Sequence, residues 1–315
     1  MLDLLLVVAG AVLVLHGAGI LTDGAAALAR RMGVPQIVVG MTIVALGTSM
    51  PEFIISIISA IRGTADMAVV NIVGSNIFNS TLTVGIAALA APIIISRSTV
   101  KKDIPFAVGS ALLLILLCLD DCISRLDGCV LLAAFAVFMA YTIAMARRHS
   151  TADDGEEGGA GIVSMAVSKS LFFIFLGLTE LIIGGNLFVT GAISIARALE
   201  VSEAVIGLTL VAGGTSLPEL ATSVIAARKG RSGIAMGNVI GSNVFNILMI
   251  GGVASAIVTP LHIEGITAVD LIVMTVSAFL LWFMSYTKYT VERWEGGILT
   301  AIFFAYLAWL LLGVV

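Results

Sequence analysis

Residues 40–85 and 207–252 lie on one another without a gap at an offset of 167 positions, and 21 of the 46 pairs are identical. GTSMPE at 47–52 meets GTSLPE at 214–219, and NIVGSNIFN at 71–79 meets NVIGSNVFN at 238–246. Both copies lie inside long apolar segments. A duplication of this kind restricts the chain to architectures built from two similar halves. It also demands a physical reason for a glycine, a proline and a glutamate in the middle of each apolar segment.

The segments themselves identify the solvent. Of 315 residues, 59% are hydrophobic and 11% charged, with a mean hydropathy of +1.14. A soluble domain of this length needs far more charged surface. Runs of roughly 17–25 apolar residues match a bilayer core about 30 Å thick. Alternating ten-residue segments, the mark of a membrane barrel, are absent. The sequence therefore predicts an all-α polytopic membrane protein. Ten transmembrane helices are expected, near 3–29, 36–61, 67–93, 104–120, 128–146, 162–196, 203–227, 233–258, 267–286 and 296–314. The first apolar run follows Asp3 with no basic stretch before it, so it is expected to be a retained span rather than a signal peptide.

Of the sixteen Lys and Arg, thirteen fall on one side of this layout, and only Arg62, Arg125 and Arg197 fall on the other. The positive-inside rule makes the first side cytoplasmic and puts both termini outside, in a cell (inner or plasma) membrane. Five spans per half is an odd number, so the halves enter the bilayer from opposite sides. The expected organisation is two inverted-topology five-helix repeats, 1–147 and 162–315, joined by a short cytoplasmic linker at 148–161, with broken helices at the midplane. Inverted repeats are characteristic of secondary transporters whose substrate site lies between the halves. Cys118, Cys122 and Cys129 are odd in number and irregularly spaced. They read as small buried hydrophobes rather than a disulfide or zinc framework.

Pro51 removes a backbone donor and Gly47 relaxes the chain, so the second span should break at GTSMPE. The carbonyls freed between Ala45 and Thr48 must then be buried in protein or line a polar cavity. Glu52 follows the break, and Glu219 repeats it. A carboxylate at this depth marks an ion pathway. Ser49, Glu52 and Ser56 share a helical face, as do Ser216, Glu219 and Ser223. Asn71, Ser75 and Asn79 form a stripe spaced by four, repeated by Asn238, Ser242 and Asn246. Four broken helices are thus expected to present oxygen ligands alone. Such a set selects hard cations over zinc or copper. Asp23 and Asp66 lie near span ends and are expected to be solvated. Glu180, opposite Leu13 in the repeat, is expected to make a local hydrogen bond. The long first and sixth spans carry Gly10, Gly17, Gly19 and Gly24, and Gly177, Gly184, Gly185 and Gly191. These small residues permit close, movable packing.

The duplicated GTS-[ML]-PE and N-[IV]-[IV]-GSN-[IV]-FN motifs resemble the α-repeats of the sodium/calcium exchanger family, within the cation/Ca²⁺ antiporters, and the short prokaryotic members in particular. The resemblance implies ten helices and a four-site diamond of ligands at the midplane. It implies that Glu52 and Glu219 bind Ca²⁺ and contribute to Na⁺ sites. Thr48, Ser49, Thr215 and Ser216 would supply backbone and hydroxyl oxygens, with the carbonyls of Ala45 and Ala212. Ser75, Ser242 and Asn79 match the remaining ligands. Asn246 stands where some relatives, including K⁺-dependent ones, carry Asp; the amide cannot ionise. The expected function is therefore Na⁺/Ca²⁺ antiport by alternating access, electrogenic and K⁺-independent.

Other classes stay open at this point. A pair of glutamates could also carry protons, giving an H⁺/Ca²⁺ antiporter. A channel is disfavoured because the repeated site lies within one chain. An enzyme is disfavoured because no basic residue accompanies the serines at that depth. No cofactor, nucleic acid or obligate protein partner is expected beyond Na⁺, Ca²⁺ and the lipid bilayer.

Overall fold

The structure, a computed structural model, describes residues 2–149, 165–201, 203–206, 209–210, 212–263 and 266–314. The helices in chain order are α1 (Leu2–Met32), α2 (Gln36–Thr48), α3 (Met50–Ile61), α4 (Asp66–Ala90), α5 (Ile104–Leu117), α6 (Arg125–His149), α7 (Val167–Ala198), α8 (Glu203–Ile206), α9 (Ala212–Thr215), α10 (Leu217–Arg228), α11 (Ser232–Val258), α12 (Ala268–Lys288) and α13 (Arg293–Val314). Seven of the single helices are long and apolar enough to cross a bilayer, and the bent pair α2–α3 makes an eighth. Of the ten expected spans, the fourth is covered by the fourteen residues of α5, preceded by a π-helical turn at Thr99–Asp103. The seventh includes positions outside the described residues. So does most of the expected linker: α6 runs to His149, and 150–164 are not described.

The breaks fall where proline requires them. Ser49 leaves helical geometry at φ −84°, ψ 7°, and Ser216 does so at φ −90°, ψ 7°. The axis turns by 47° between α2 and α3. The other two expected breaks do not occur. Within α4 and α11 the chain remains helical and passes through π-helical turns at Asn79–Thr83 and Phe245–Ile250. No proline removes a donor there, so the ladder bulges instead of parting.

Helices α1 and α7 run antiparallel along a seam of small residues. Gly10 meets the backbone of Gly184 and Phe188, Gly17 that of Gly177, Gly24 that of Ser170, and Gly191 that of Asp3. A Cβ on any of these glycines would strike the facing backbone. Removing Cβ is what allows two helix backbones to touch. Gly19 and Gly185 are not in the seam. Elsewhere two short antiparallel strand pairs pin distant loops: β1 (Ile93–Ile94) with β4 (Thr290–Val291), and β2 (Cys122–Ile123) with β3 (Leu261–His262).

The second half of α1 is packed into the protein. Ala25, Ala26, Leu28 and Ala29 are buried, whereas their equivalents Ala192, Ile193, Ile195 and Ala196 on α7 are half-buried. Asp23 is partly exposed, at 33%, and is paired with Lys229 and Arg231. Cys118 is buried and Cys122 half-buried. Cys129 is exposed instead of buried, on the outer face of α6. A small apolar group there meets lipid at little cost.

Candidate functional site

Glycine faces set the two broken segments against the helices that carry the asparagine stripes. Gly237 and Gly241 of α11 abut the backbone of Ile37, Gly40 and Met41 on α2. This close approach places Thr48 beside Asn238, where its hydroxyl donates to Oδ1 at 3.0 Å. On the far side of each break the asparagine clamps the returning chain. Asn71 Nδ2 donates to the Glu52 carbonyl (3.2 Å) and Ser56 Oγ (2.8 Å). Asn238 Nδ2 donates to the Glu219 carbonyl (3.3 Å) and Ser223 Oγ (3.1 Å). Sequence equivalents thus make the same contacts in both halves.

The central contacts cross between the halves. Ser49 Oγ donates to Glu219 Oε1 at 2.8 Å, and Ser216 Oγ donates to Glu52 Oε1 at 2.9 Å. Ser216 Oγ also lies 3.2 Å from Ser75 Oγ. Each serine sits at the break of one half and holds the carboxylate of the other. Glu52 and Glu219 are 1% and 0% exposed. No basic side chain is seen to pair with either among the described residues; the ion pairs seen, such as His16–Glu180, Asp23 with Lys229 and Arg231, and Lys288–Glu292, lie elsewhere. Buried carboxylates in this condition carry a large desolvation cost.

Around them lies a shell of oxygen and amide groups with spare capacity. Glu52 Oε2, Glu219 Oε2, Ser242 Oγ and both amide atoms of Asn79 and Asn246 are buried without a hydrogen-bond partner. Buried polar atoms are ordinarily paired; other unpartnered atoms lie elsewhere in the molecule, at Asp103 and Ser285 for example, but these seven belong to the duplicated motifs that carry the two carboxylates. The shell offers hard oxygen donors, and among the described residues no group of three His, Cys, Asp or Glu occurs. Such donors suit Na⁺ and Ca²⁺.

Of the sequence-predicted site residues, Thr48, Ser49, Glu52, Ser75, Asn79, Ser216, Glu219, Ser242 and Asn246 are buried, and Thr215 at the second break is half-buried. Ala212 opens α9. Ala45 differs from expectation: its carbonyl accepts the Ser49 N–H (3.0 Å) and the Thr48 hydroxyl (3.3 Å). Pro51 has no N–H to offer the Gly47 carbonyl four residues back, whereas the Ala45 carbonyl keeps its helical partner. Gly47 faces Leu178 and Gly214 faces Val189, so α7 lies over both breaks.

Sequence reasoning missed a second duplicated acid. Asp103 and Asp270, also 167 apart, are buried at the starts of α5 and α12, and Asp270 accepts the Tyr306 hydroxyl at 2.6 Å. The offset alone could have found them. Glu180 does bond, but to His16 of α1 at 2.6 Å rather than locally.

The model of the sodium/calcium exchanger protein family matches residues 2–144 and 169–312. This chain is a member of that family. The sodium/calcium exchanger MaX1 of Methanosarcina acetivorans is 31% identical over 97% of both chains. The inner membrane protein YrbG of Escherichia coli is 32% identical over 97% of this chain and 95% of its own. The solved structure of the sodium-calcium exchanger NCX_Mj, soaked with Na⁺ and Ca²⁺, superposes with a TM-score of 0.84 at 31% identity, covering 98% of each chain.

Proposed function

We propose that this protein exchanges Na⁺ for Ca²⁺ across a membrane, in ten spans arranged as two inverted repeats (1–147 and 162–315) about a linker at 148–161, with both termini outside. One observation carries the proposal: two buried carboxylates from equivalent breaks, each held by the serine of the opposite half, amid oxygens that no protein donor satisfies. The antiparallel seam of the equivalent helices α1 and α7 supports inversion. Of the exchanger NCX_Mj, the soaks themselves name Na⁺ with Ca²⁺ or Sr²⁺ as its ions.

The chemistry follows from charge. Two carboxylates carry −2, which one Ca²⁺ neutralises. An unneutralised pair resists transfer through the bilayer, because a bare charge at that depth costs several kcal/mol. Switching between sides is therefore favoured with Ca²⁺ bound, or with several Na⁺. This is coupling by compensation, and it gives alternating access without leak. Loading with three Na⁺ would leave about +1, making transport electrogenic, at about 2.3 kcal/mol per charge per 100 mV. Asn246 adds no third carboxylate, which supports K⁺ independence. The ions are cargo; the protein's residues make and break no covalent bond.

The test uses proteoliposomes loaded with Na⁺ and diluted into ⁴⁵Ca²⁺. Uptake is expected to require the outward Na⁺ gradient and to persist when the pH gradient is collapsed. Loss of uptake on collapsing the pH gradient at fixed Na⁺ would replace this proposal with H⁺/Ca²⁺ exchange. Uptake indifferent to both gradients would end the antiport reading.

A further inference from the structure

We propose that Asp23, Lys229 and Arg231 form an ionic latch that holds the α1–α7 pair against α10 at the basic end of the molecule and favours the state closed at that end. The proposal rests on the two-sided exchange reading above.

Lys229 Nζ lies 2.9 Å from Asp23 Oδ1 and donates to the Gly19 carbonyl at 2.7 Å. Arg231 Nη1 approaches the same carboxylate oxygen to 2.5 Å, and its side chain is only 9% exposed. An isolated surface pair would matter little. Here one carboxylate serves two cations, and one of them is a guanidinium buried deeply enough to need its anion.

The turn that presents the two cations exists twice. Gly230 takes φ +69°, with Gly230 N–H on the Ala227 carbonyl and Arg231 N–H on that of Ala226. Gly63 takes φ +81°, with Gly63 N–H on Ala60 and Thr64 N–H on Ser59. The backbone is repeated, whereas the side chains are not. Thr64 stands where the second turn has Arg231. On α7, Thr190 and Asn186 stand where α1 has Asp23 and Gly19, and both are exposed, as is Arg62. The cluster therefore exists at one end only.

Packing follows the same asymmetry. Thr222 of α10 is fully buried, whereas its equivalent on α3, Ile55, is 41% exposed. In a molecule of two similar halves, the states closed at one end and at the other use nearly the same contacts. A polar cluster present in only one of them tilts the balance toward it. Breaking the cluster should let the α1–α7 pair part from α10 and settle onto α3.

Spin-label distances on the full-length chain test this, with Cys118, Cys122 and Cys129 replaced by alanine. One label pair, Arg31→Cys with Arg228→Cys, spans the basic end. A second, Arg62→Cys with Thr190→Cys, spans the other. Asp23→Asn is expected to lengthen the first distance and shorten the second, changing the ratio of the two populations by roughly five-fold or more. Asp23→Glu should restore the parent distributions. Lys229→Gln should shift both distances the same way by less, and serves if Asp23→Asn does not fold. Distances that stay fixed, or that both lengthen together, overturn the latch. The readout needs no transport, so a failed uptake assay would strike the exchange reading and leave this result standing.

Discussion

Helices α3 and α10 begin with the same motif and end in very different surroundings. Each follows a break at serine, carries a buried glutamate one turn in, and is clamped by an asparagine of the next helix. Beyond the glutamate they diverge. Ile54 of α3 is 50% exposed and its equivalent on α10, Ala221, 8%. Gly74 beside α3 has open space, whereas its equivalent Gly241 is wedged against Met41 and Ala45. The halves are therefore alike around the two carboxylates and unlike in how far the helices beyond them are covered. The likeness is set by the motif that the halves share. The difference is set by which half α1 covers.

The comparison breaks most severely if the two glutamates prove unequal. Glu52→Gln and Glu219→Gln should each reduce Na⁺-driven ⁴⁵Ca²⁺ uptake by ~100-fold or more, the effect of about 3 kcal/mol lost from a buried charged contact. A silent variant at either position would mean that the site belongs to one half. The crossed serines come next. Ser49→Ala and Ser216→Ala each remove a donor to a carboxylate, a loss of about 1.5–3 kcal/mol. Titration calorimetry should show Ca²⁺ affinity falling by roughly ten- to a hundred-fold in both. The packing asymmetry is tested by exchanging residues across the offset. Thr222→Ile should overpack a closed interface and cost about 1–3 kcal/mol in thermal unfolding in detergent. Ile55→Thr, at the open position, should stay within about 0.5 kcal/mol. The smallest effect concerns the asparagines. Asn246→Asp and Asn79→Asp should each make uptake depend on pH, by a few-fold between pH 6 and 8 on the scale of a single perturbed carboxylate. A response at only one position would show that the amides are not equivalent ligands.

Much of the site was legible in the chain because it is local. A proline two residues past a serine dictates a break, and an Asn, Ser, Asn stripe spaced by four dictates a polar face. What could not be read is how the halves cross. Nothing in GTSMPE says that Ser49 will bond Glu219 rather than Glu52, because that choice depends on two segments meeting head to head. The π-helical turns at Asn79 and Phe245 were invisible for a related reason. They are tertiary adjustments of otherwise ordinary helices. The pairing of Asp23 could not be read because its partners lie some 200 residues away. The repeat gave the spans their pairing, yet their count depends on α5, which is short, and on the segment before α9, part of which lies outside the described residues.

The seam glycines of α1 and α7 recur every seven residues, and each abuts the backbone of the opposite helix. Seven residues of α-helix rise about 10.5 Å. Any smaller slip along the seam would drive a side chain into the opposing backbone. The two helices are consequently keyed together like a single bar, and a push on one end of the pair would be carried to the other.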